Sequence, residues 1–140
     1  MPRLSVWFIR ASLVYLLMGF TLGAFMLAQD GISYYPAIHE ALPAHMEFLL
    51  VGWLVQLAMG VAYWMFPRLG WEPPNSRGNP TLIWMSFSML NAGIWAVALD
   101  LWLPSGLLIG RSLEIGAVAI FVIGLWRRIM AHGAPTRVKK

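Results

Sequence analysis

The stretch HEALPAHMEFLLVGWLVQLAMGVAYWMFPRL, residues 39–69, decides how this chain folds. From Phe48 onward it is apolar almost without interruption, close to the roughly 20 residues that carry a helix across hydrocarbon. Yet it opens with His39, Glu40, His45 and Glu47. A span needs none of them, and ionisable groups beside hydrocarbon are costly unless they have a partner. Either something binds at this end of the helix, or these side chains sit in the wet headgroup layer.

Composition sets the class. Of the 140 residues, 59% are hydrophobic and 11% charged, and the mean hydropathy is +0.67. Soluble domains run at about 45–50% apolar and about 25% charged. The chain therefore reads as one integral membrane domain over residues 1–140, with the lipid bilayer as its first partner. Cysteine is absent, which excludes a disulfide framework and any thiolate metal site. The net charge of +4 does not point to nucleic acid: most Lys and Arg flank apolar runs, and no basic patch is interleaved with aromatics. Nucleic acid is excluded as a partner.

Four apolar runs can be drawn, at about residues 7–29, 43–66, 82–103 and 105–126, followed by a basic tail over 127–140. DGISYYP, PRLGWEPPNSRGNP and LPSG separate them with turn-forming residues. The N-terminal run has the basic flank of a secretory signal. However, Met26 stands where a small residue is needed before Ala28, and the run is too long for a signal core. It reads as a span. Arg3, Arg10, Arg68, Arg77, Arg127, Arg128, Arg137, Lys139 and Lys140 all lie on one side of this layout, and the loop over 30–42 has neither Lys nor Arg. The positive-inside rule then puts both termini in the cytoplasm. The expected fold is all-α, a four-helix up-and-down bundle in the cytoplasmic membrane, with Trp7, Tyr34, Tyr35, Trp64, Trp71, Trp102 and Trp126 near the interfaces.

At about 1.5 Å per helical residue, the ionisable residues gather in the outer half. His39, Glu40, His45 and Glu47 mark the entrance of the second span, and Asp100 the end of the third. Arg111 lies roughly 10 Å and Glu114 roughly 15 Å into the fourth. Arg111 and Glu114 share a helix face and can neutralise each other, or Arg111 can take an anionic ligand group. Asp100 is either an interfacial residue or a partner of Arg111. His39 reads as a solvated loop residue and His132 as part of the tail. The nine Met are packing residues. Gly19 and Gly23, and Gly106 and Gly110, are small-xxx-small pairs that let helices approach closely, and the same thinness admits a flat ligand. His45 stands apart, because it opens a long uninterrupted helix containing Gly52 and Gly60. Its imidazole is either a structural group or a metal ligand through one nitrogen, the other being oriented by an acceptor such as Glu47 or a backbone carbonyl.

The pattern AHMEFLLVGWLVQLAMGVAYWMFPRL, residues 44–69, resembles the second transmembrane helix of subunit I of the heme–copper oxidases, including the nitric oxide reductase branch. GNPTLIWMSFSMLNAGIWAV, residues 78–97, is similar to that family's approach to its third helix. The resemblance covers the family's first four helices and nearly all of this chain. It implies that His45 is an axial ligand of a heme b, and that Arg111 faces a propionate. Gly19, Gly23 and Gly52 would give the macrocycle room. The second axial ligand would be Met26, by depth, or His39, or a second copy's His45, or the position would stay open to a gas. The later helices that carry the family's copper ligands and high-spin heme are absent here, so the chain alone is not a complete terminal oxidase.

Three function classes follow. The first is a b-type heme protein for electron transfer or for binding O2 or NO, an oxidoreductase or a subunit of one, served by a quinol or a cytochrome. The second is a noncatalytic accessory or assembly subunit of a respiratory complex. The third is a small transporter or metal handler using His39, Glu40, His45, Glu47 and the Met residues. A single well-placed His in four helices implies an oligomer, homomeric or within a larger complex, with the glycine pairs of the first and fourth spans as contact seams.

Overall fold

The fold is described from a computed structural model for residues 1–32, 36–66, 79–100 and 102–130. It is all-helical, with no strand among the described residues. Four helices are long and apolar enough to cross a membrane: Arg3–Gly31, Ala37–Met65, Pro80–Ala98 and Gly106–Trp126. Most of their large apolar side chains face outward, among them Leu17, Phe20, Leu27, Leu108, Ile115 and Ile123. That pattern suits helices whose outer solvent is hydrocarbon rather than water. Trp7, Trp64, Trp102 and Trp126 are also exposed. Tyr34, Tyr35, Trp71, His132 and the loop arginines Arg68 and Arg77 lie outside the described residues.

The boundaries differ from the sequence reading for local reasons. The second span starts earlier than residue 43, through a 3-10 turn over Pro36–Ala41 that leads into Leu42–Glu47. The third stops at Ala98 rather than near 103. There the Asp100 carboxylate accepts the Leu107 N–H at 2.6 Å, which caps the start of the fourth helix and closes the turn. Ser105 completes that turn with φ at 70°, a conformation L-residues rarely adopt. At the other end of the third span, the Asn79 side chain accepts the Thr81 N–H, and Pro80 follows as the first helical residue.

The middle of the second span holds a feature that periodicity did not reveal. Phe48–Val55 is wound as a π-helix, continuous with the α-helical turns on either side. A run of this length is unusual, and π-helical turns occur most often at functional sites. Here the wider winding keeps Phe48, Gly52, Gln56 and Gly60, spaced four apart, all buried on one face.

Packing is closest within two pairs, the first span along the second and the third along the fourth. Glycine makes both approaches possible. A Cβ at Gly52 would lie 2.7 Å from Tyr15 Cγ, and one at Gly60 2.7 Å from Phe8 Cβ. Between the third and fourth spans, a Cβ at Gly110 would lie 2.4 Å from Val97 Cγ2 and 2.8 Å from the Gly93 carbonyl oxygen. Ser86 then donates to the Ala117 carbonyl at 2.7 Å across the same seam. The shared core gathers Phe8, Tyr15, Phe48, Ile83, Leu90, Ile94, Phe121 and Leu125, with Phe8 edge-on to Phe87 at 5.0 Å. The glycine pairs expected to form seams between subunits are therefore occupied within one chain: Gly19 and Gly23 receive the second span, Gly106 and Gly110 the third. Gly110→Val should lower stability in detergent by about 1–3 kcal/mol through overpacking. Gly116→Ala, which meets only the flexible end of Met89, should unfold close to wild type in the same thermal melt followed by circular dichroism.

Candidate functional site

Residues 45 and 47 are two apart on a helix, so their side chains point about 200° apart. His45 turns to the first span and Glu47 to the fourth. His45 Nδ1 lies 2.8 Å from the Gly19 carbonyl oxygen. A carbonyl only accepts, so Nδ1 carries the hydrogen. In the neutral ring, Nε2 then holds the lone pair. The imidazole rests on Gly23, where a Cβ would come 2.7 Å from His45 Cε1. The acceptor that orients His45 is thus the Gly19 carbonyl, and not Glu47.

Glu47 instead meets Arg111 of the fourth span, whose Nη2 stands 2.7 Å from Glu47 Oε2. Nη1 of the same guanidinium stands 2.6 Å from Glu114 Oε2. Glu47 is 2% exposed and Glu114 7%. The two carboxyls thus share the two terminal nitrogens of one guanidinium. Their remaining oxygens, Glu47 Oε1 and Glu114 Oε1, are buried and have no hydrogen-bond partner. Room for the Glu114 side chain comes from Gly93 of the third span, where a Cβ would lie 2.8 Å from Glu114 Cγ. The sequence reading paired Arg111 with Glu114; that Glu47 joins them depends on how the spans rotate about their axes. Asp100, the other candidate partner of Arg111, is engaged by the Leu107 N–H.

A second arginine ties the same two spans at the opposite end. Arg128 is fully buried, donates to the carbonyls of Tyr63 and Phe66 and lies over the Tyr63 ring, 5.2 Å from its centroid. The sequence placed Arg128 in a basic tail. It satisfies instead carbonyls at the C-terminal end of the second span, which have no helical N–H to meet them. Between the two arginines runs an apolar groove of about 460 Å³, walled by Val51, Val55, Leu90, Ile115, Val118 and Ala119, with Glu114 as its polar lining residue. Across the core, Tyr15 donates to Asn91 Oδ1 at 2.8 Å, and Asn91 Nδ2 donates in turn to the Phe87 carbonyl of its own helix at 2.8 Å.

A cavity of about 470 Å³ opens at the His45 end, between the first span, the start of the second and the end of the third. Met18, Leu22, Ala44, Phe48 and Trp95 give it apolar walls, with Thr21, Glu40 and Asp100 as polar lining. Its size suits a small organic ligand. His45 does not line it; its neighbours in sequence, Ala44 and Phe48, do. Met26 is buried and follows Gly23 by three, so it shares the helix face on which His45 rests. His39 is exposed and lies 3.2 Å from Asp30, a pairing the sequence did not suggest. The glycines proposed to admit a flat ligand hold this chain's own side chains: Gly19 meets Leu49, Gly23 meets His45 and Gly52 meets Tyr15. Among the described residues, no group of three His, Cys, Asp or Glu converges to hold a metal ion. No protein family, no curated protein and no solved structure matches the chain.

Glu47, Arg111 and Glu114 form one electrostatic unit that joins the two helix pairs. A double-mutant cycle on Glu47→Ala and Arg111→Ala, read as unfolding free energy in mixed detergent, should return a coupling of about 0.5–3 kcal/mol. The half-exposed Arg111 side chain places the expected value in the lower part of that range.

Proposed function

We propose that this chain is a small heme b protein of the cytoplasmic membrane, with His45 as axial ligand through Nε2. The single observation that carries this reading is the bond between His45 Nδ1 and the Gly19 carbonyl. Metal-bound histidines almost always donate their other ring nitrogen to such an acceptor, which fixes the tautomer and turns a lone pair toward the metal. The resemblance of residues 44–69 to the heme-ligating helix of heme–copper oxidases agrees with that assignment. When bound, the heme would supply one-electron chemistry or a gas-binding iron. Arg111 keeps further N–H donors on its exposed side for a propionate, and Met26 shares the face on which His45 rests. With one such His per chain, the second wall of the heme falls to another subunit, identical or part of a respiratory complex. Both termini face the cytoplasm in this reading, because the Lys and Arg residues gather on that side.

A second reading rests on a different observation. The imidazole is packed on Gly23 and lies outside the lining of the adjacent cavity. In that case His45 is a structural pin between the first two spans, and the chain is an accessory subunit whose cavity takes an apolar ligand.

Absorption spectroscopy separates the two. Protein purified after expression with ample heme should show a Soret band and a reduced α-band of heme b. His45→Ala should abolish them, and Gly23→Leu, which displaces the imidazole, should alter them in the same way. His132→Ala should leave them intact. A colourless wild-type protein would select the structural-pin reading. For orientation, a cysteine replacing Ser33 should react with an impermeant maleimide from outside intact cells, and one replacing Ser76 only after permeabilisation; the reverse pattern would invert the topology.

A further inference from the structure

The cavity at the His45 end has walls and a polar lining of different kinds. Phe48, Trp95 and Trp102 give it aromatic surface. Trp95 packs edge-on against Phe48 at 5.6 Å, and Phe48 stacks on Tyr15 at 5.6 Å, so this wall is set by the core behind it. The charged lining residues are Glu40 and Asp100, both exposed. Glu40 lies in the turn that opens the second span, and Asp100 lies just past the end of the third. Asp100 gives one oxygen to the Leu107 N–H and keeps the other, together with the charge the two share. Among the described residues, no Lys, Arg or His lines the cavity. Arg111 is held between Glu47 and Glu114, and His39 stands against Asp30. Neither the loop over 30–42 nor the turn over 99–105 contains Lys or Arg.

We propose that this cavity binds an organic cation with an apolar body, its charge at Glu40 and Asp100 and its body against Phe48 and Trp95. Charge complementarity selects the class. An anion would meet two carboxylates with no cation of the chain beside them. A neutral apolar molecule would fill the walls and leave both carboxylates unanswered. A cation meets both demands: the carboxylates attract it, and the faces of Trp and Phe rings stabilise positive charge through their quadrupoles. The volume of about 470 Å³ lies in the range of sites for drug-sized ligands and suits one such molecule rather than a two-chain lipid. The inference does not depend on heme, because His45 does not line the cavity. It replaces the neutral ligand of the accessory-subunit reading with a charged one.

Equilibrium dialysis of the full chain in an uncharged detergent, with the uptake of empty micelles subtracted, tests the site. The probes are methyltriphenylphosphonium and triphenylphosphine oxide, which carries the same three phenyl groups and no net charge. The phosphonium should bind saturably, one per chain, and about tenfold more tightly than the oxide. Glu40→Gln and Asp100→Asn should each weaken its binding about 2- to 5-fold, the range of partly exposed ion pairs, and the double variant about tenfold. Asn at position 100 keeps an oxygen for the Leu107 N–H, so the turn should persist, and circular dichroism checks it. Asp30→Asn removes an acid that does not line the cavity and should leave the affinity unchanged. Absence of saturable phosphonium binding to the wild type would overturn the proposal. Equal affinity for the oxide would also overturn it and would select the neutral ligand. A folded double variant with wild-type affinity, or an equal loss in Asp30→Asn, would reduce the effect to general surface attraction and overturn it as well.

Discussion

A guanidinium between the spans ties one helix pair to the other. Arg111 reaches from the fourth span to Glu47 on the second while retaining Glu114 on its own helix. Helices in lipid gain nothing from hydrophobic attraction to one another, because the tails around them are equally apolar. Close packing and polar contacts must do that work. Within each pair of spans, glycine supplies the close packing. Between the second and fourth spans the backbones stay further apart, and the connection falls to Arg111 at one end and Arg128 at the other.

That division of labour explains the shape of the interior. Where glycines meet side chains there is no free space: Leu49, His45 and Tyr15 fill the notches of the first and second spans. Where arginines bridge, the helices stay apart, and a groove runs between the bridges. The π-helical run over Phe48–Val55 begins directly after Glu47, and Val51 and Val55 line the groove. It carries the helix from a face set by Glu47 to one set by Gln56, Met59 and Gly60 without breaking the chain of backbone bonds that hydrocarbon demands.

His45 sits at the meeting point of both principles. Its ring fills a glycine notch, as a packing residue does, and its Nδ1 is held by a carbonyl, as in a metal ligand. The same bond serves either role, because a half-buried imidazole gains from having its N–H satisfied whatever the other nitrogen does. What separates the roles is whether anything occupies the Nε2 side.

Much of this was legible in the residues alone. Four apolar runs with polar punctuation determined four membrane-length helices, since backbone groups in hydrocarbon have few other ways to be satisfied. The i, i+3 spacing of Arg111 and Glu114 determined their pairing, and the isolation of His45 marked the helix end that deserved scrutiny. The tertiary structure decided the rest, because it depends on how each helix is rotated toward its neighbours. Only that rotation sends His45 to Gly19 while Glu47 goes to Arg111, and only the packing of the second span brings its terminal carbonyls to Arg128. Asp100 read as a candidate partner for Arg111 and became a helix cap, because the turn beside it placed the Leu107 N–H nearer. The sequence names the charged groups, but the distance between two carboxyls on different helices exists only in the fold.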